Sequence, residues 1–237
     1  MKMTKTKLAK GFTLVELLVV IAIIAALAAL STPVVLKQQK KAAATEAVNN
    51  AKQMFILLFE FDQDKGAYPG SAGVNSTGAV STTSNGAFRE FFIASAIDTE
   101  ELFYCKNGLT IKPDGDIGTA GTNTEACADG EVGFHYLMKT ATASHGTASP
   151  SGVPLIVTPG DAVAPTAASP FAINPFGGRA VVLFNDGSCK SLPIAAVGTA
   201  GLGALSTTAA ENPLSATYPP NVVAGGAPVI LPTVAAP

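Results

Sequence analysis

At 237 residues the chain is long enough for one modest globular domain plus an appended segment. Charged residues make up 14 % and hydrophobic ones 48 %, with 23 glycines and 16 prolines, which does not fit a highly charged disordered protein. The formal charge is −2, and it becomes −6 once the four lysines ahead of Gly11 are taken away; a mildly acidic body has no basic stripe for nucleic acid.

Residues 1–10 are short, polar and basic, with Lys2, Lys5, Lys7 and Lys10. An apolar segment follows, unbroken from Leu17 to Leu30. Counted from Phe12 it forms roughly 28 Å of helix at about 1.5 Å per residue, close to the thickness of a bilayer core. The basic flank places that end in the cytoplasm and sends the remainder outward. An ordinary secretory signal, cut near Ala28–Ser31, and a plain membrane anchor both share this layout. Neither accounts for Gly11 and Glu16 bracketing the start of the apolar run.

The segment KGFTLVELLVVIAIIAALAALSTP resembles the processing and methylation segment of type IV pilins and type II secretion pseudopilins. The resemblance implies cleavage by a prepilin peptidase after Gly11 and methylation of the new amine on Phe12. It matches Glu16 to an acidic residue that neutralises a neighbouring subunit's Phe12 amine during assembly, and Pro33 to a helix-interrupting position. Physical chemistry agrees on Glu16. A carboxylate in hydrocarbon costs a few kcal/mol and so requires a partner, and the first helical turn favours negative charge. The bland alternative is that Glu16 reaches the headgroups. Pro33 lacks an N–H and clashes with the Ala29 carbonyl, which predicts a kink that Ser31 and Thr32 could partly rescue.

Beyond Pro33, Ala44, Val48, Ala51, Phe55 and Leu58 recur at three- and four-residue spacings, with Lys41, Thr45, Asn49, Lys52 and Glu60 on the other side. This stripe is expected to pack on the protein's own sheet rather than form a coiled coil. Gly66 and the turn Tyr68-Pro69-Gly70 end the helix near Asp64. Gly66-Ala67-Tyr68-Pro69 resembles the Gly-x-Tyr-Pro element that follows the long helix in pseudopilins. The expected organisation is a leader 1–11, a long helix 12–65 whose membrane part is about 12–36, an α/β body 66–194, and a low-complexity tail 195–237. The fold class expected is α+β: a long transmembrane and amphipathic helix packed on a small antiparallel sheet.

Within the body, residues 70–87 read as an exposed loop, and Asn85 as the cap of a short helix over Phe88–Ile97. Residues 102–105 read as a strand or a helix end, and strands are expected within 131–138 and 153–158. The clearest signal is Arg179–Leu192, where a β-branched run meets Asp186-Gly187 and then resumes alternation, the mark of a tight hairpin. That pattern also resembles the C-terminal hairpin of pseudopilin-like proteins. Asp186 therefore reads as a turn residue and not a catalytic acid. No element is forced on residues 195–237.

No catalytic residues are expected. His135 lies in an apolar run and His145 in a polar loop, and no nucleophile elbow or phosphate-binding glycine loop accompanies them. Zinc is not expected, because Cys105, Cys127 and Cys189 lack metal spacing. Asp114, Asp116 and Glu125 occupy three positions of an oxygen-rich calcium loop, but Gly118 and Thr119 break its pattern, so no cofactor is expected and calcium remains a weak candidate. Cys105 and Cys127 flank that loop and are the pair best placed for a disulfide, worth about 3 kcal/mol in the chain-entropy model; three buried thiols are the alternative.

The resemblance implies a filament subunit, with a prepilin peptidase, other pilin-like subunits and an inner-membrane assembly platform as partners. The chain would be a single-pass inner-membrane protein with its body periplasmic or extracellular. A type II secretion pseudopilin is favoured over a type IV pilus pilin. A membrane-tethered binding module that never polymerises is the reading of another class.

Overall fold

The computed structural model describes residues 12–106, 109–158, 171–173, 175–197, 202–205, 212–215 and 229–233. Helix α1 runs Leu14–Lys65 and α2 runs Ser84–Ile93. Among the described residues eight strands follow: β1 His135–Met138, β2 Pro154–Thr158, β3 Phe171–Ala172, β4 Arg179–Phe184, β5 Cys189–Pro193, β6 Ala196–Val197, β7 Leu202–Ala204 and β8 Val229–Ile230. A five-stranded antiparallel sheet has the order β5-β4-β2-β1-β8, and a three-stranded one the order β3-β7-β6. This is the α+β arrangement expected: a long apolar N-terminal helix and a small antiparallel sheet.

The chain divides into two units, with the boundary after Gln39. In the first, every described side chain from Phe12 to Gln39 is exposed, although most are large and apolar. Such a surface is unfavourable in water and favourable in hydrocarbon. α1 also continues through Pro33 without a break, which corrects the expected interruption there. Proline removes one backbone bond, and the hydroxyls of Ser31 and Thr32 donate to the Ala28 carbonyl at 3.1 and 2.8 Å, tying the turn before it together.

In the second unit the buried stripe of α1 is Ala44, Ala47, Ala51, Met54, Leu58 and Phe61. Ala44, Ala51 and Leu58 were expected. Val48 and Phe55 lie at the margin, half-buried against the same core. The stripe packs in one cluster with Phe88, Phe91, Tyr136, Met138, Val181 and Leu183, so the helix covers the protein's own sheet. Gly66, at φ +81°, closes α1 by donating its N–H to the Asp62 carbonyl at 2.8 Å.

The large sheet is buried on both faces. Tyr136, Met138, Ile156, Val181 and Leu183 join the α1 cluster, while Leu137, Val157, Ala180, Val182 and Phe184 pack with Phe171, Leu205 and Leu214. Two buried faces explain why β4 reads as an unbroken apolar run. β4 and β5 form the expected hairpin, paired from Arg179↔Pro193 to Leu183↔Cys189. Asp186 serves its turn, its Oδ1 accepting from the Ser188 N–H at 2.8 Å.

Three local readings change. α2 begins at Ser84, capped by Thr83, whose Oγ1 accepts the Gly86 N–H at 3.1 Å. Asn85 lies inside the helix, and its Nδ2 instead donates to the Cys127 and Ala128 carbonyls at 2.9 and 3.0 Å. Residues 102–105 form no strand: Glu101–Phe103 is a turn. From the segment 195–237, β8 pairs with β1 at the edge of the large sheet, and Leu205, Leu214 and Leu231 are buried.

Candidate functional site

The amino end of α1 is built by residues 12–16. Phe12 is 76 % exposed and Thr13 precedes the first helical residue. Thr13 donates to Glu16 Oε2 twice, from its N–H at 2.9 Å and its hydroxyl at 2.8 Å. Glu16 returns its own N–H to Thr13 Oγ1 at 3.2 Å. This reciprocal arrangement is a capping box, and the spacing Thr13-x-x-Glu16 is its sequence signature. The signal was present in the sequence and is additional to the acid's expected role. It satisfies two amide donors that the helix itself leaves unpaired. It also holds the carboxylate beside the helix start, on a surface otherwise made of exposed Phe12, Leu14, Val15 and Leu17. Gly11 lies outside the described residues.

The acidic residues of the body group differently from their order in sequence. Asp114 does not converge with Asp116 and Glu125 on a calcium loop. Asp114 Oδ1 accepts the Asp116 N–H, Asp116 Oδ1 accepts the Gly118 N–H, and Glu125 Oε1 accepts from Thr124 Oγ1. These are short-range turn bonds, each taken by one carboxylate oxygen. Asp114 meets Glu100 and Glu131 instead.

The expected Cys105–Cys127 bridge is not formed, and all three cysteines are free thiols. Cys105 is packed against Gly133 and receives the Thr158 hydroxyl on its sulfur at 3.8 Å. Cys127 is buried near Glu100, which accepts its N–H at 2.6 Å. Burial pushes the Cys105 thiol up to about 12 and the Cys127 thiol upward as well, so neither is poised as a nucleophile. The histidines are packing residues. His135 is buried with Nδ1 3.0 Å from the Leu231 carbonyl, and His145 is buried with Nδ1 3.3 Å from Ser149 Oγ.

Residues 6–32 match the family model described as the prokaryotic N-terminal methylation motif, the signal of type IV pilins and pseudopilins. The matched stretch takes in Lys7 and Lys10 of the basic flank, Gly11, Phe12, the capping box and the exposed apolar part of α1 up to Thr32. The motif implies processing by a prepilin peptidase and assembly with pilin-like subunits, and the family that carries it is structural. One long apolar helix close to the N-terminus fits a single-pass membrane anchor. Neither the curated proteins nor the solved structures gave a match to the chain.

Proposed function

We propose that the chain is a pseudopilin of a type II secretion-like filament, cut after Gly11, methylated on Phe12 and assembled through α1. The observation that carries the pilin-like reading is the methylation motif over residues 6–32, leading into a helix whose side chains up to Gln39 are all exposed. Before assembly the lipid tails cover that surface, with residues about 12–36 in the inner membrane and the lysine-rich end in the cytoplasm. In the filament, neighbouring helices replace lipid, and van der Waals packing between them holds the subunits.

Glu16 sets the register in this mechanism. Both Thr13 bonds fall on Oε2, and the proposal assigns Oε1 to the amine of a neighbour's Phe12. The capping box then lowers the cost of an intramembrane carboxylate before the partner arrives, and it leaves an acceptor free when the partner does.

The secretion class is favoured by two body elements that resemble those of pseudopilins, Gly66-Ala67-Tyr68-Pro69 and the Asp186-Gly187 hairpin. A pilus pilin shares the methylation motif and remains the second reading on that ground. Two measurements separate the alternatives. Intact mass of membrane-extracted protein should show loss of residues 1–11 and gain of one methyl; retention of the lysine-rich leader sinks the pilin-like reading. In a strain lacking the gene, secreted enzymes should accumulate in the periplasm while surface fibres persist; the reverse pattern assigns a pilus. Glu16→Ala should be processed yet fail to enter filaments, whereas normal incorporation would favour a tethered module that does not polymerise.

A further inference from the structure

We propose that the cleft between α2 and the loops 75–83 and 121–124 is a binding site for an acidic sugar, with Arg89 holding the sugar's carboxylate. The cleft measures about 540 Å³, within the range of roughly 300–1,000 Å³ usual for small-ligand sites. It lies wholly within the second unit. The site does not rest on the filament reading, because a pilin-like subunit and a tethered module would carry it equally.

A buried carboxylate builds one wall. Glu90 is 2 % exposed. Its Oε2 accepts the Ser76 N–H at 2.7 Å, and its Oε1 accepts the Thr77 hydroxyl at 3.3 Å. Asn75 braces the same loop: its Oδ1 accepts the Gly70 N–H at 2.7 Å, and its Nδ2 donates to the Ala79 carbonyl at 2.7 Å and to Ser81 Oγ at 3.0 Å. A loop tied in this way holds its shape before any ligand arrives, and a preformed site loses less entropy on binding.

Arg89 supplies the charge. Its Nε donates to the Ala126 carbonyl at 2.9 Å, which anchors the guanidinium at the cleft. Among the described residues its terminal nitrogens make no further hydrogen bond and no ion pair; the ion pairs found there are Lys106–Glu46 and Lys112–Glu101. A planar fork of this kind matches a carboxylate with two parallel N–H···O bonds. No lysine lines the cleft, and the charge of Glu90 opposes a second negative charge, so a monoanion suits the site better than a phosphate dianion.

The remaining lining is mostly hydroxyls with a few aliphatic groups. Ser81 and Thr83 each accept one bond, from Asn75 Nδ2 and from the Gly86 N–H, and each keeps an O–H to donate. Ala79, Val80 and Ile93 offer apolar contact to the C–H faces of a sugar ring. A peptide is the poorer fit, because the walls are a helix and irregular loops, with no strand edge among the lining residues to pair its backbone.

The test titrates the detergent-extracted full chain calorimetrically with sodium glucuronate, with glucose and trialanine as comparison probes. Saturable binding of one glucuronate is expected, with glucose, which lacks the carboxylate, bound about tenfold more weakly or worse. Arg89→Gln should weaken glucuronate binding by about tenfold or more. Arg89→Lys, which keeps the charge but not the fork, should recover only part of that loss. Thr82 is exposed at the rim, and Thr82→Glu, which sets a like charge there, should weaken binding by roughly fivefold. Lys112→Gln, at a cation outside the cleft, should bind as the parent does. If Arg89→Gln does not fold, the Thr82→Glu variant decides the matter. Absence of saturable heat with glucuronate up to tens of millimolar overturns the proposal, as does unchanged affinity in Thr82→Glu. Tighter binding of glucose or of trialanine than of glucuronate overturns it equally, the first in favour of a neutral glycan and the second of a peptide.

Discussion

The hydroxyl of Tyr68 donates to Oδ1 of Asn185 at 2.8 Å, in a buried bond spanning 117 residues. It links the turn that ends α1 to the hairpin between β4 and β5. Asn185 extends the link, because its Nδ2 donates to the Ser149 carbonyl at 2.7 Å and its N–H to the Val153 carbonyl at 2.9 Å. Tyr68 in turn donates its own N–H to the His145 carbonyl at 2.9 Å. The turn after α1 and the β4–β5 hairpin thus share a single buried polar network.

Removing that hydroxyl should be costly. Tyr68→Phe keeps the ring but leaves Asn185 Oδ1 buried without its donor, a loss of about 1–2 kcal/mol. Thermal or urea unfolding of the detergent-extracted protein should show it. An unchanged midpoint would mean that water replaces the phenol. Because burial and then the charge of Asp62 push the phenol up to about 12, alkaline ionisation does not compete near neutral pH.

The hairpin has a second requirement. Gly187 has φ +75°, and a Cβ there would lie 2.8 Å from Cε1 of the Phe55 ring on α1. Both the backbone conformation and the ring oppose any side chain. Gly187→Ala should cost about 1–3 kcal/mol, more than an exposed hairpin glycine would. The control is Gly78→Ala, where φ is +69° and nothing lies within 4 Å. Equal losses at the two positions would show that Phe55 yields without penalty.

What the sequence made legible was local. The α1 stripe, its Gly66 end and the β4–β5 hairpin all follow from periodicity and turn chemistry within a few residues. The misreadings arose where distant partners decided. Thr83, Ser84 and Asn85 can each cap a helix, but Ser84 Oγ is drawn to the Leu231 carbonyl and Asn85 to Cys127 and Ala128. Thr83 is left as the cap. β8 is two residues long in a stretch of low complexity, and only its pairing with Leu137 and Met138 marks it as a strand. Glu100, Asp114 and Glu131 come from three passes of the chain, so no linear spacing shows them. The Thr13–Glu16 box differs, since its pattern is local and stood in view beside the more prominent acid.

That box predicts a separable effect. Thr13→Val keeps the shape but removes the hydroxyl that both gives to and receives from Glu16, and losing such a cap costs about 1 kcal/mol. Amide exchange at Glu16 in micelles should quicken by about fivefold, the equivalent of that energy, while leader cleavage is unchanged. Thr13→Ser should restore the parent rate. Unaltered exchange in Thr13→Val would show that the Thr13 N–H bond to Glu16 suffices.

His145 should impose an acid limit on the body. Burial, then the positive charge of Lys139, depress its imidazole from 6.5 to about 4. The folded chain therefore holds the neutral ring, while the unfolded chain takes up a proton below about 6.5. More protons bound when unfolded means that stability rises with pH in this window. The contribution is fully present above about 6.5 and is lost progressively as pH falls toward 4, amounting to about 3 kcal/mol at most. Carboxylates titrate over part of the same range, so the informative quantity is the difference between the parent and His145→Gln, measured by urea unfolding from pH 7 to pH 4. That difference should change across the window, with the parent losing more stability than the variant. A constant offset would show that the imidazole is protonated in place, balanced by an acid such as Asp62, whose carboxylate already accepts the Thr147 hydroxyl nearby.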